Sequence, residues 1–201
     1  MEALWRGDDP RRSAGRFYQA VSEARKLLGD AFERERDTYA LDRERLRIDI
    51  DELDRIRREA DAAPGQKRVL LERALALFRA EPLSGIDALW AATDQRRLTA
   101  LQADLLVRAG RLRLESGDAA GARDSAEAAA ALDVSNELPV QLSMEAEAAL
   151  GRREAVAKQY ERLRRDLDER FGLEPSRDIK NLHRRLLSQD PHPESQVVRL
   201  A

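Results

Sequence analysis

The chain has 201 residues, of which 37% are charged and only 4% aromatic, a balance that favours helices over a sandwich or a barrel. Its formal net charge of -2 excludes a surface that is basic throughout, so any contact with nucleic acid or anionic lipid has to come from a local patch. Cysteine is absent, which excludes disulfides and thiolate-bound metal centres. No apolar run approaches the roughly 20 residues that cross a bilayer, and no signal-peptide core follows Met1, so the cytoplasm is the expected location.

The first element is a helix expected from Ser13 to Leu28, with Pro10 near its start, Ser13 as a candidate N-cap and Gly29 as its stop. Phe17, Ala20, Val21, Ala24, Leu27 and Leu28 recur at helical spacing and predict one apolar stripe. Arg12, Arg16, Gln19, Glu23 and Lys26 fall on the opposite face. Further on, Leu46, Ile48 and Ile50 alternate with Arg45, Arg47 and Asp49, the period of a half-buried strand. The expectation is a hairpin that pairs this run with "TYAL" (residues 38–41) across a tip made by "DRER" (residues 42–45), the only β structure in the chain.

After Asp51 the pattern is helical, broken around Pro64 and Gly65 and again around Pro82 and Gly85, with a long helix expected from about Asp94 to Glu115. Two later stretches superimpose: Gly117 on Gly151, Ala122 on Val156, Ala126 on Tyr160 and Ala129 on Leu163, each pair 34 positions apart. That is the period of a tetratricopeptide repeat, in which a glycine turns one helix into its antiparallel mate and small or apolar residues line the contact face. The alternative is an unrelated helical bundle. Gly172, Pro175 and Ser176 separate a last helix from the one before it, and residues 189–201 read as a disordered tail.

Taken together, "ALWRGDDPRRSAGRFYQAVSEARKLLG" resembles the end of the winged-helix region of the Streptomyces antibiotic regulatory protein family. The glycine repeats and "YERLRRDLDERFGLEPSRDIKNLHRRLL" resemble the bacterial transcriptional activator domain that follows it. The fold class implied is mainly α: a tetratricopeptide-like repeat domain over residues 51–188, preceded in residues 1–50 by one helix and a small β-hairpin from a partial winged helix. The resemblance implies a regulator whose winged helix binds promoter DNA, with repeats that self-associate as a homodimer and contact partners, RNA polymerase among them. Residue by residue, the helix from Ser13 to Leu28 matches the recognition helix and Tyr39 to Ile50 the strands around the wing. This nominates Arg12, Arg16, Gln19 and Lys26 for the major groove and Arg43 and Arg45 for the wing.

"MEALW" resembles only the tail of the helix that should precede the recognition helix, so the chain is expected to be either a fragment or a descendant that has lost half of the DNA module. Its apolar stripe must then find another cover, and the balance of the sequence lies slightly against DNA reading by this chain alone. The competing reading is a stand-alone helical-repeat adaptor or ligand-sensing protein that does not touch DNA. Asp49, Asp51 and Asp54 lack calcium-loop spacing, and helix capping accounts for them. His183 and His192 are the only histidines and form neither a triad nor a metal set, no glycine-rich phosphate loop follows a strand, and neither an enzyme nor a cofactor is expected. Trp90 is expected as a buried anchor between repeats, with a partner groove as the alternative, and Tyr160 as core.

Overall fold

A computed structural model describes residues 10–86 and 88–188, without the side chains of residues 10–12, 89 and 90. "MEALW", the side chains of Arg12 and Trp90, and the expected tail at 189–201 therefore lie outside the described residues.

The first helix, α1, spans Pro10–Leu28, with proline at the position where a helix needs no N–H. It starts three residues earlier than the sequence suggested, and Ser13 is a buried member of the first turn rather than its cap. Gly29 ends it with φ +56, a left-handed conformation that costs glycine nothing. A short 3-10 turn, Gly29–Ala31, leads into an antiparallel hairpin of β1 (Phe32–Glu35) and β2 (Thr38–Leu41).

That hairpin corrects the sequence reading. "TYAL" is a strand, but its partner is "FERE" on its N-terminal side, in the register Phe32 to Leu41 and Glu35 to Thr38. The tip is Arg36 and Asp37, not "DRER". Asp42 Oδ1 instead accepts from the backbone N–H of Glu44 (2.9 Å) and Arg45 (3.3 Å), a local turn that stops the chain from extending. The apparent alternation of Leu46, Ile48 and Ile50 therefore belongs to a turn and a helix start: Ile48 is the extended N-cap residue of α2 (Asp49–Ala62). Asp49, Asp51 and Glu52 fill its first turn, where negative charge meets the positive end of the helix dipole.

The remaining helices are α3 (Lys67–Leu75), α4 (Leu89–Glu115), α5 (Ala119–Leu132), α6 (Glu137–Ala149), α7 (Arg153–Phe171) and α8 (Arg177–Ser188). They stack as antiparallel neighbours around three successive apolar clusters, the first shared by α2, α3 and α4, the second by α4, α5 and α6, and the third by α6, α7 and α8. The 34-residue period is structural: α4 and α6 end at Glu115 and Ala149, and α5 and α7 begin at Ala119 and Arg153. The turns match bond for bond. Asp118 N–H donates to the Arg113 carbonyl at 2.9 Å, and Arg152 N–H to the Glu147 carbonyl at 2.9 Å, around Gly117 (φ +88) and Gly151 (φ +73). The long helix α4 begins five residues before the expected Asp94.

Close approach sets residue size within the stack. A Cβ on Gly110 of α4 would lie 2.5 Å from Leu142 Cδ2 and 3.0 Å from Ser125 Cβ, so glycine here lets α5 and α6 pack onto α4. The "GLEPS" segment anchors α8: Gly172 is left-handed (φ +63), Leu173 N–H reaches the Leu167 carbonyl at 3.2 Å, and Ser176 N–H donates to Glu137 Oε1 of α6 at 2.8 Å. Ile179, Leu182 and Leu186 then bury one face of α8.

Candidate nucleic-acid interface

Packing of α1 on the hairpin is led by aromatic rings. Phe17 meets Tyr39 edge-on at 5.7 Å, and Phe32 stacks on Tyr39 at 5.3 Å with an interplanar angle of 8°. Phe32, Arg34, Tyr39 and Leu41 share one face of the hairpin because directly opposed residues of an antiparallel pair point the same way. This face carries Tyr39 to α1, and with it Arg34.

A cleft of about 420 Å³ results between α1 and the hairpin, lined by Tyr18, Val21, Ser22, Arg25, Lys26, Arg34 and Tyr39. Its three charged lining residues are all cations. The Arg25 guanidinium lies over the Tyr39 ring, 5.9 Å from its centroid, and Arg34 Nε donates to the Arg36 carbonyl at 3.0 Å, which holds that side chain beside the hairpin tip. Arg36 itself adopts φ +52, and Thr38 Oγ1 donates to the Glu35 carbonyl at 2.9 Å to close the turn. Three cations and two phenol rings give this cleft a positively charged lining of hydrogen-bond donors.

The nominated residues fare unequally. Lys26 lines the cleft. Arg16 and Gln19 are exposed, as a polar face requires, and Gln19 Nε2 donates to Glu23 Oε1 at 3.2 Å, so that amide is already engaged. Arg12 falls outside the described side chains. Arg43 and Arg45 are not on the hairpin tip: Arg43 pairs with Asp51 at 3.1 Å and Arg45 with Asp42 at 3.0 Å, so their charges are compensated by neighbours around the start of α2. Arg25 and Arg34 were missed, because their convergence depends on a strand pairing that the misplaced hairpin hid. The apolar stripe is also only half covered: Val21 is buried and Phe17 half-buried, whereas Leu27 is 84% exposed.

Elsewhere, Asp51 and Asp54 are spent on Arg43 and Arg57, and no group of three metal-ligating side chains occurs among the described residues. His183 stacks on Tyr160 at 4.1 Å, and burial pushes its pKa down despite the opposing pull of Glu161. Tyr160 is half-buried against the third cluster rather than wholly enclosed.

Residues 48–187, from the N-cap of α2 through α8, match the model of the bacterial transcriptional activator domain. The chain belongs to that family. The regulatory protein AfsR of Streptomyces griseus is 28% identical over 196 residues, which is 94% of this chain and 20% of AfsR. The structure of Mycobacterium tuberculosis EmbR, solved in complex with a low-affinity phosphopeptide, superposes with a TM-score of 0.76 at 19% identity over 95% of this chain and 54% of EmbR. The chain thus spans about a fifth of AfsR and about half of EmbR, and with EmbR it shares the fold. The bacterial transcriptional activator domain is a transcription-regulator module and not an enzyme family, and no helix among the described residues is long and apolar enough to cross a membrane.

Proposed function

We propose that the chain works in a transcriptional regulator, with residues 10–41 lying against promoter DNA and α2–α8 joining it to a second copy or to another protein of the transcription machinery. The observation that carries the DNA half is the cleft of Arg25, Lys26 and Arg34 beside the exposed polar face of α1. Arg25 and Arg34 replace Arg43 and Arg45 as the cations beside the hairpin, and the cleft contacts phosphate, while Arg16 and Gln19 face the bases. Support for the association half comes from large apolar side chains left open on the stack: Val69 on α3, Leu138 on α6, Phe171 at the end of α7 and Leu173 just beyond it, each about half exposed.

The test is binding of a fluorescent mixed-sequence duplex across a salt series, with sedimentation run in parallel. Affinity should fall steeply with salt, and Arg25→Gln with Arg34→Gln should flatten the slope of log K against log salt by about one unit per cation removed. Failure to bind at low salt removes the DNA half. Binding with a slope unchanged in the double variant moves the contact elsewhere. A monomer at every concentration removes self-association. The adaptor reading is favoured by one feature, the internal pairing of Arg43, Arg45 and Gln19, and it gains if DNA fails while a protein partner binds.

A further inference from the structure

A larger cleft, of about 720 Å³, lies between the start of α2 and the connection from α3 to α4. Its size falls within the range of small-molecule sites. Ile48 and Leu53 line it from the α2 side, Phe78 and Leu83 from the connection, and Leu98 from α4. Leu53 and Leu98 are buried, whereas Ile48, Phe78 and Leu83 remain half-buried, so the cleft has an apolar wall still partly open to water. Leu83 also holds φ +54, a left-handed backbone that is strained for a leucine, and its side chain forms part of this wall.

The charged rim is asymmetric once its pairings are followed. Glu52 accepts two bonds from Arg55, Glu81 accepts from the Gln95 amide at 2.8 Å, and Asp49 accepts from the N–H of Ile50 at 2.8 Å. Arg47 and Arg79 also line the cleft, and neither side chain has a hydrogen bond or ion pair among the described residues; Glu52, which attracts Arg47, is already held by Arg55. Each lining carboxylate already accepts a hydrogen bond, whereas the two guanidiniums keep their donors for an acceptor from outside.

We propose that this cleft binds a small amphipathic organic anion, its carboxylate between Arg47 and Arg79 and its hydrocarbon body on Ile48, Phe78 and Leu83. A carboxylate suits guanidinium donors by charge and by hydrogen-bond geometry, and an apolar body removes the exposed wall from water. Residues 47–53 follow directly on the turn after the hairpin, so the ligand bridges the exit from the N-terminal unit and the first helices of the stack. The site is separate from the basic cleft on α1 and stands or falls without it.

The experiment is methyl NMR on the intact chain, with decanoate as probe and decanol and acetate as controls. Decanoate should shift the methyls of Ile48 and Leu83 saturably; decanol, which lacks the charge-assisted hydrogen bond, and acetate, which lacks the apolar body, should each bind at least about tenfold more weakly. Arg47→Gln and Arg79→Gln should each weaken decanoate about tenfold, and Arg68→Gln, an exposed α3 residue outside the cleft, should not. Equal affinity for decanol and decanoate overturns the anion assignment. So does decanoate binding that neither glutamine variant weakens. Unperturbed Ile48 and Leu83 methyls up to the solubility limit overturn the site itself, the result expected if the cleft takes a peptide segment instead.

Discussion

Along α1 one large apolar side chain, Val21, is buried, while Tyr18 and Leu27 stand 67% and 84% exposed; along α4, Leu98, Leu105 and Val107 are all buried, and two apolar clusters share the helix. The N-terminal unit is held by ring contacts and a short hairpin, and the stack by residues enclosed on several sides. A unit that buries so little opens at low cost, whereas each helix of the stack is tied to the next. The difference separates two roles: the stack supplies stability, and the N-terminal unit supplies an exposed charged face.

Leu105→Ala is the most severe way to break this comparison. Leu105 is fully buried in the first cluster, so truncation should cost about 2–5 kcal/mol in urea unfolding followed by helical circular dichroism. Val21→Ala should cost about 1 kcal/mol or less and leave the main transition in place, since its effect stays in the small unit. Equal losses would mean that the two regions unfold as one body.

Gly110→Ala should cost about 1–3 kcal/mol by overpacking, even though alanine is intrinsically the better helix former by about 1 kcal/mol. Leu142, the side chain it would strike, is fully buried and has nowhere to swing. A neutral or stabilising result in the same urea assay would show that α4, α5 and α6 pack less closely than the structure has them.

The two regions also differ in what the sequence makes legible and what it hides. The stack is readable because Gly117 and Gly151 fall one period apart and small or apolar residues recur at the same positions after each, a signal local in the chain and repeated in space. The hairpin was misplaced because Arg36–Asp37 offers none of the Asn-Gly chemistry that marks a two-residue turn, while "LRIDID" imitates a strand by chance of a turn running into a helix start. The error passed on to the site: the helical face made Lys26 visible, but Arg25 and Arg34 meet only through the β1–β2 register. The pairing of Arg43 with Asp51, eight residues away across a turn, has no sequence period to announce it.

At the far end of the stack His183 makes stability depend on pH. Its Nε2 is enclosed without a partner and its ring lies on Tyr160, so burial lowers its pKa below the usual 6.5 and keeps the imidazole neutral in the folded chain. The unfolded chain takes up the proton first on acidification. This contribution is therefore complete above about pH 6.5 and is lost as pH falls below that value toward the folded pKa. Melting temperature should drop between pH 7.5 and 5.5 by more in the native chain than in His183→Phe, which keeps a ring on Tyr160 without a titrating group. An equal drop in both would place the pH response elsewhere.

The smallest effect is the most discriminating for the N-terminal unit. Arg36 pays for a left-handed backbone at the hairpin tip, which Arg36→Gly would relieve, while glycine's greater freedom when unfolded takes back part of the gain. The net should be a stabilisation of under about 1 kcal/mol, confined to the hairpin and visible as slower hydrogen exchange in β1 and β2, with the urea midpoint of the stack unchanged. The same substitution removes a cation next to the Arg34 cleft. If the hairpin lies on DNA, the variant has a more protected hairpin and a shallower salt dependence of binding; if the hairpin faces only solvent, protection rises and the salt slope does not move.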